Sequence, residues 1–188
     1  MDAQATFDIV AQQFREIALL ESTKALLEWD ERTGLPAQAG GYRAAQITLL
    51  SGLIHRRKTQ PQLGEQLESL SDSELASDPH SAPGATIARL LKDYRRNTRL
   101  PVELVEALST ATVLGQQAWE RARAADHWKT FAPHLQEIFS LRRQEAEFLR
   151  QDGEPLYDTL LDQYEEGARS KALTATFASL RDELVCLV

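Results

Sequence analysis

Phe7, Val10, Phe14 and Ile17 recur three and four residues apart near the start of the chain. That spacing puts them on one stripe of an amphipathic helix. The stripe reads on through Leu20 and Leu27 to Trp29, and Thr33, Gly34, Leu35 and Pro36 end it. Glycine tolerates a left-handed cap and proline cannot continue a helix. A second helix is predicted over Tyr42 to Arg57, with Ile47, Leu50 and Ile54 on one face, and a short third over Pro61 to Leu70. The stretch Ser71 to Gly84, "SDSELASDPHSAPG", is dominated by Ser, Asp, Pro and Gly and reads as a loop or hinge. A fourth helix is expected from about Ala85 to Asn97, and Pro101 stands where the first turn of a fifth tolerates proline.

In the fifth helix Leu104, Leu108, Ala111, Gly115, Ala118 and Ala122 follow a 4-3-4-3-4 spacing whose far half is made of small residues. Such a face lets a neighbouring helix come close. A sixth helix is predicted over Trp128 to Arg150, with Phe131, Leu135, Ile138, Leu141 and Phe148 apolar, and Asp152-Gly153-Glu154-Pro155 breaks it. A short helix through "LYDTLLDQYEEG" follows, then Ser170 as the N-cap of a last helix. Leu173, Phe177, Leu180, Leu184 and Leu187 give that helix the cleanest stripe of all, and it runs to Val188 with no Gly, Asn or basic last turn. The pattern therefore predicts a chain that ends inside a longer helix. No stretch alternates with the period of a strand. The expectation is one all-α region over 1–188, a bundle of about seven to eight helices.

Composition narrows the function classes. With 188 residues, 43% apolar and 26% charged, the chain is ordinary for a globular protein and long enough to bury roughly 70% of its unfolded surface. A net charge of −7 disfavours nucleic-acid binding, which needs cations along the phosphate backbone. Cys186 is the single cysteine, so neither an internal disulfide nor a cysteine metal site is available. The opening "MDAQATFDIVAQQF" lacks a signal peptide's basic and apolar regions, and no apolar run reaches the roughly 20 residues that span a bilayer. A cytoplasmic protein with no membrane or nucleic-acid partner is expected.

Candidate chemistry is sparse. The histidines are His55, His80, His127 and His134, and no pair has the i, i+4 spacing of H-E-x-x-H. His127 and His134 share a face but stand roughly 10 Å apart along a helix axis, too far for one metal bonded at about 2 Å. No histidine has a Glu three residues before it, as helical di-iron sites need. There is no G-x-S-x-G elbow and no glycine-rich phosphate loop. Arg89, Lys92, Arg96 and Arg99 form a basic stripe, read first as a solvated face and second as a dock for an acidic surface. The carboxylates Asp158, Asp162, Glu165 and Glu166 could act as acid and base, although solvated or capping roles are the more frequent use. Trp29, Trp119 and Trp128 are expected in the core with their polar edge bonded.

Three stretches, in order, resemble the carboxypeptidase Taq family of zinc metallocarboxypeptidases. "LLEWDERTGLP" followed by "GGYRAAQITLLSGLIHRRKTQPQLGEQLESL" is similar to the family's opening, through Trp29, Asp30, Pro36, Arg43 and Gln46. "AWERARAADHWKTFAPHLQEIFSLRRQEAEFL" resembles a later segment, through Trp119, Ala122, Arg123, Phe131, Pro133 and Leu135. "PLYDTLLDQYEEGARSKALTATFASLRDELVCLV" resembles a third, through Tyr157, Asp158, Leu160, Leu161, Asp162, Tyr164, Glu165 and Gly167. The segment "SDPHSAPG" matches nothing in the family's pattern.

The resemblance implies an all-helical, usually homodimeric hydrolase that removes residues from peptide C-termini. Its zinc ligands and catalytic Glu belong to an H-E-x-x-H motif and a later Glu in the C-terminal half. This chain resembles only the N-terminal part, a wall or lid of the substrate groove. No catalytic, metal or cofactor-binding residue carries over, so the chain alone is expected to be inactive, with zinc or another divalent metal only in a full-length member. Trp29, Asp30, Gly115, Tyr157, Asp158, Asp162, Tyr164 and Glu165 are the candidate interface or groove-wall residues. Peptide would be a partner only when a catalytic half is joined. The exposed end of the last helix predicts self-association. The alternative is a free-standing, non-catalytic helical binding or regulatory protein derived from that family.

Overall fold

A computed structural model describes residues 2–36, 38–151 and 153–187, apart from the side chain of Asp182. Among these residues the structure is all-helical, with no strand. The helices are α1 (Ala3–Thr33), α2 (Gly40–Lys58), α3 (Pro61–Ser71), α4 (Ala82–Asn97), α5 (Val102–Ala124), α6 (Trp128–Leu149), α7 (Leu156–Leu161) and α8 (Ser170–Leu187), with a 3-10 turn at Glu74–Ala76. No helix among the described residues is long and apolar enough to cross a membrane. The chain forms two compact units, residues 1–141 and 142–188.

In the first unit α1 serves two cores. Its 31 residues make a rod of about 46 Å. Val10 packs with Leu63, Leu67 and Leu70 of α3 and Ile87 and Leu91 of α4, with Phe7, Phe14 and Tyr94 around them. Further along, Leu27 packs on Ala44 and Ile47 of α2 and Val113 of α5. The small-residue stripe of α5 is buried throughout, from Leu104 to Ala122. A β-carbon built on Gly115 would lie 2.8 Å from Ile138 Cδ1 of α6, so the close approach expected of this face is realised. Polar pairs cross the α2–α5 seam as well: Thr48 to Thr110 at 2.8 Å and Ser51 to Ser109 at 3.0 Å between hydroxyl oxygens.

The basic end of α2 is tied to two neighbouring helices. Arg56 pairs with Glu106 of α5 at 3.0 Å, and Arg57 and Lys58 reach Glu16 and Glu21 of α1 at 3.5 and 2.6 Å. Exposed pairs of this kind are worth at most about 1 kcal/mol each. His55 beside them is buried, and its Nε2 is 2.9 Å from the carbonyl of Leu100.

The stretch expected as a loop is ordered more than its composition suggests. Leu75 and Ala76 of the 3-10 turn pack on the α1–α3–α4 core. Helix α4 starts at Ala82 rather than near Ala85. Ser81 is its N-cap, accepting from the N–H of Gly84 at 3.1 Å, and Pro83 sits in the first turn, where its missing N–H costs nothing. Proline and glycine there open a helix instead of breaking one.

In the second unit the end of α6 turns into α7 and α8. Glu145 is buried and accepts from Arg142 at 2.6 Å and Gln163 at 3.2 Å. Glu154 pairs with Arg169 at 2.9 Å. Asp152, within the expected break, and Val188, the expected terminus, lie outside the described residues. The stripe on α8 is exposed: Phe177 64%, Leu180 42%, Leu184 53% and Leu187 82%, with Leu173 partly covered.

Candidate functional site

The first resembling stretch resolves into a buckle between α1 and α2. Arg43 Nη1 lies 2.6 Å from Asp30 Oδ2 and donates to the carbonyl of Leu27 at 2.8 Å. Its Nε donates to Gln46 Oε1 at 3.0 Å. The Leu27 carbonyl lies inside α1, six residues before its end, and accepts Arg43 in addition to its helical bond; a guanidinium is suited to serve both a carbonyl and a carboxylate there. The Arg43 side chain is only 13% exposed, while Asp30 is 45% exposed, so the bond to Leu27 is sheltered and the ion pair opens to solvent. Asp30 also gives its backbone carbonyl to the N–H groups of Gly34 and Leu35 at 2.9 and 3.1 Å. Asp30, Arg43 and Gln46 thus fasten the α1–α2 hairpin.

Beside the buckle, Gln117 of α5 donates to Glu31 Oε1 at 3.2 Å. Burial pushes the Glu31 carboxyl above its usual range, against the opposing effect of that hydrogen bond. No spacing in the sequence signals this contact, because 86 residues separate the two groups.

The neighbouring Trp29 behaves differently. It is 65% exposed, and Trp119 and Trp128 are 39% and 62% exposed, so the expectation of three core tryptophans is overturned. Leu27 faces the core, and two residues further along turns a side chain about 200° round the helix. Trp29 therefore faces away from α2 and α5. Trp119 carries the Arg123 guanidinium over its ring at 5.6 Å, and Trp128 meets Phe131 edge-on at 5.7 Å.

The "YDTLLDQYEEG" stretch divides in the same way. Asp158 is buried, and its Oδ1 accepts the backbone N–H of Ser170 at 3.0 Å. Ser170 is the first residue of α8, not its cap. The cap is supplied from α7 by Asp158, whose carboxyl is held below its usual range by the Ser170 side-chain and backbone hydrogen bonds. Asp162 Oδ1 accepts the N–H of Gly167 at 2.9 Å, and Gly167 has φ +78°, a conformation that favours glycine. Tyr157 and Tyr164 are 64% and 90% exposed, and Glu165 is exposed. Gly115 is buried in α5. Trp29 and Asp30 belong to the first unit, and Tyr157 through Glu165 to the second.

Among the described residues no group of three or more His, Cys, Asp and Glu could hold a metal ion. His55 commits Nε2 to Leu100, and His127 Nδ1 is 2.8 Å from Thr130 Oγ1. No buried side-chain nitrogen or oxygen among the described residues lacks a hydrogen-bond partner.

Residues 9–188 match the family model of the carboxypeptidase Taq (M32) metallopeptidases. The chain belongs to that family. It is 35% identical over 192 residues to thermostable carboxypeptidase 1 of Thermus thermophilus, covering 98% of this chain and 38% of that protein. Thermostable carboxypeptidase 1 of Pyrococcus furiosus is 31% identical over 180 residues, covering 95% of this chain and 35% of its own length. The fold matches the M32 carboxypeptidase of Deinococcus radiodurans R1 with a TM-score of 0.75 at 29% identity, over 97% of this chain and 36% of that one. The chain spans less than two-fifths of the length of the curated relatives it matches. The family is one of metallopeptidases, and the His, Cys, Asp and Glu among the described residues form no cluster that fits a catalytic metal.

Proposed function

We propose that this chain supplies the metal-free helical region of a carboxypeptidase Taq-type metallocarboxypeptidase, an enzyme that removes C-terminal residues from peptides. The supporting observation is the unbroken family match over residues 9–188, set against coverage of only 38% of the Thermus thermophilus relative. The metal ligands and the general base then belong to the part that the chain does not span. Each unit contributes its own helical scaffold, held by Asp30 and Arg43 in the first and by Asp158 and Asp162 in the second. Trp29, Tyr157, Tyr164 and Glu165 are the outward groups available to peptide or to the rest of the enzyme.

The purified chain, given zinc and a peptide substrate, is expected to bind no stoichiometric metal and to release no C-terminal residue. Stoichiometric zinc together with turnover by the 188-residue chain would overturn the proposal. Tight capture of peptide by the chain alone would favour a free-standing binding protein instead.

A further inference from the structure

The apolar stripe of α8 is the largest unexplained feature of the second unit. Its five members keep a 4-3-4-3 spacing, the seam of a helix that packs on another helix by knobs into holes. Four of the five are exposed. Lys171, Arg181 and Glu183 lie off the seam, as does the exposed Val185, so the seam is the longest apolar row of the helix. Two occupants are available in principle, a second copy or a helix joined in the same polypeptide.

Area decides between them. A face of 18 residues is about 27 Å long and about 10 Å wide. A stable association of separate proteins buries roughly 800 Å² per partner, and this strip falls well short of that. A joined segment meets the face at an effective concentration in the mM range, where a small seam suffices. The relatives carry such a segment: about three-fifths of the Thermus thermophilus protein has no counterpart here, while the family match extends through α8 to residue 188.

We infer that the face of Leu173, Phe177, Leu180, Leu184 and Leu187 seats an apolar-faced helix from the part of a full-length family member that this chain does not span. This rests on the function proposed above. The test is hydrogen exchange of residues 173–187 in two proteins: the chain alone, and the chain put in place of the matching 38% of the Thermus thermophilus relative. The amides of α2 and α5 report folding in both. In the chain alone, α8 should exchange about 100-fold faster than α2 and α5, by local opening. In the joined protein α8 should slow by about 100-fold, and Leu180→Glu should undo that protection while α2 and α5 stay protected.

Three results would overturn the inference. One is protection of α8 in the monomeric chain alone, which would mean that the same chain covers the face. Another is a stable dimer of the chain that Leu180→Glu dissolves. The third is fast exchange of α8 in a joined protein protected at α2 and α5. Metal-dependent peptidase turnover of the joined protein, read in parallel, separates the two proposals. Turnover with an unprotected α8 removes the docking face and leaves the family role standing; a protected α8 without turnover does the reverse.

Discussion

Helix α3 and helix α8 both carry an apolar stripe, and only one of them has it covered. In α3, Leu63, Leu67 and Leu70 are buried against α1 and α4. In α8 the stripe is longer and more regular, yet Phe177, Leu180, Leu184 and Leu187 meet solvent. Periodicity reports which face of a helix is apolar; whether a partner lies on that face is a separate, tertiary fact. The same contrast appears within the motifs that carry the family resemblance. Their bonded members, Asp30, Arg43, Asp158 and Asp162, tie backbone ends, while their aromatic members, Trp29, Tyr157 and Tyr164, face outward.

The largest effect that sharpens this contrast is expected at Leu67, which is fully buried. Leu67→Ala should cost about 2–5 kcal/mol, the transfer loss plus a cavity, measured by urea unfolding of the chain. A cost under about 1 kcal/mol would mean that the α1–α3–α4 core is loosely packed. Arg43→Ala comes next, at about 1–3 kcal/mol, because it removes a charge-assisted hydrogen bond to the Leu27 carbonyl and releases Asp30. Arg43→Lys should recover only part of that loss, since an ammonium cannot serve several acceptors with the geometry of a guanidinium.

A pH effect follows from His55. Burial lowers its pKa below the ordinary 6.5, more than the Leu100 hydrogen bond raises it. The unfolded chain then binds the proton more readily than the folded one. The contribution is complete above about pH 6.5 and is lost as pH falls through the lowered folded value. Unfolding midpoints should therefore drop on acidification in that window, and His55→Gln should flatten the slope there. An unchanged slope in the variant would show that the ring is solvated.

At the small end stands the exposed set. Trp29→Ala should cost less than about 1 kcal/mol, against roughly 3–5 for a core aromatic. Leu180→Ala should change the stability of the chain alone by less than about 0.5 kcal/mol. A loss at Leu180 comparable to that at Leu67 would erase the difference between α3 and α8.

Much of the helix pattern was legible because it is local. The ends of α1, α2 and α3 fall within a few residues of those predicted, since Gly34, Pro36 and Pro61 act on their own neighbours. Helix α4 was read as starting late because Pro83 and Gly84 break helices in most contexts and open one only after a capping serine such as Ser81. Trp29 was misplaced because its two-residue step from Leu27 leaves the stripe, which hydrophobicity alone does not register. The partners of Arg43 were hidden for a different reason: its contact with Leu27 spans 16 residues and ends on a backbone carbonyl, which no side-chain pattern reveals. Asp158 was visible as part of a motif, but its capping of α8 needs the fold.

The measurement that bears most directly on the proposed role is peptidase activity of the joined protein, in which this chain replaces the matching 38% of the Thermus thermophilus relative. Release of C-terminal residues that depends on a divalent metal is expected, with none from the 188-residue chain by itself. Metal-dependent release from the chain alone, or a folded joined protein that binds metal and peptide without turnover, would contradict that role.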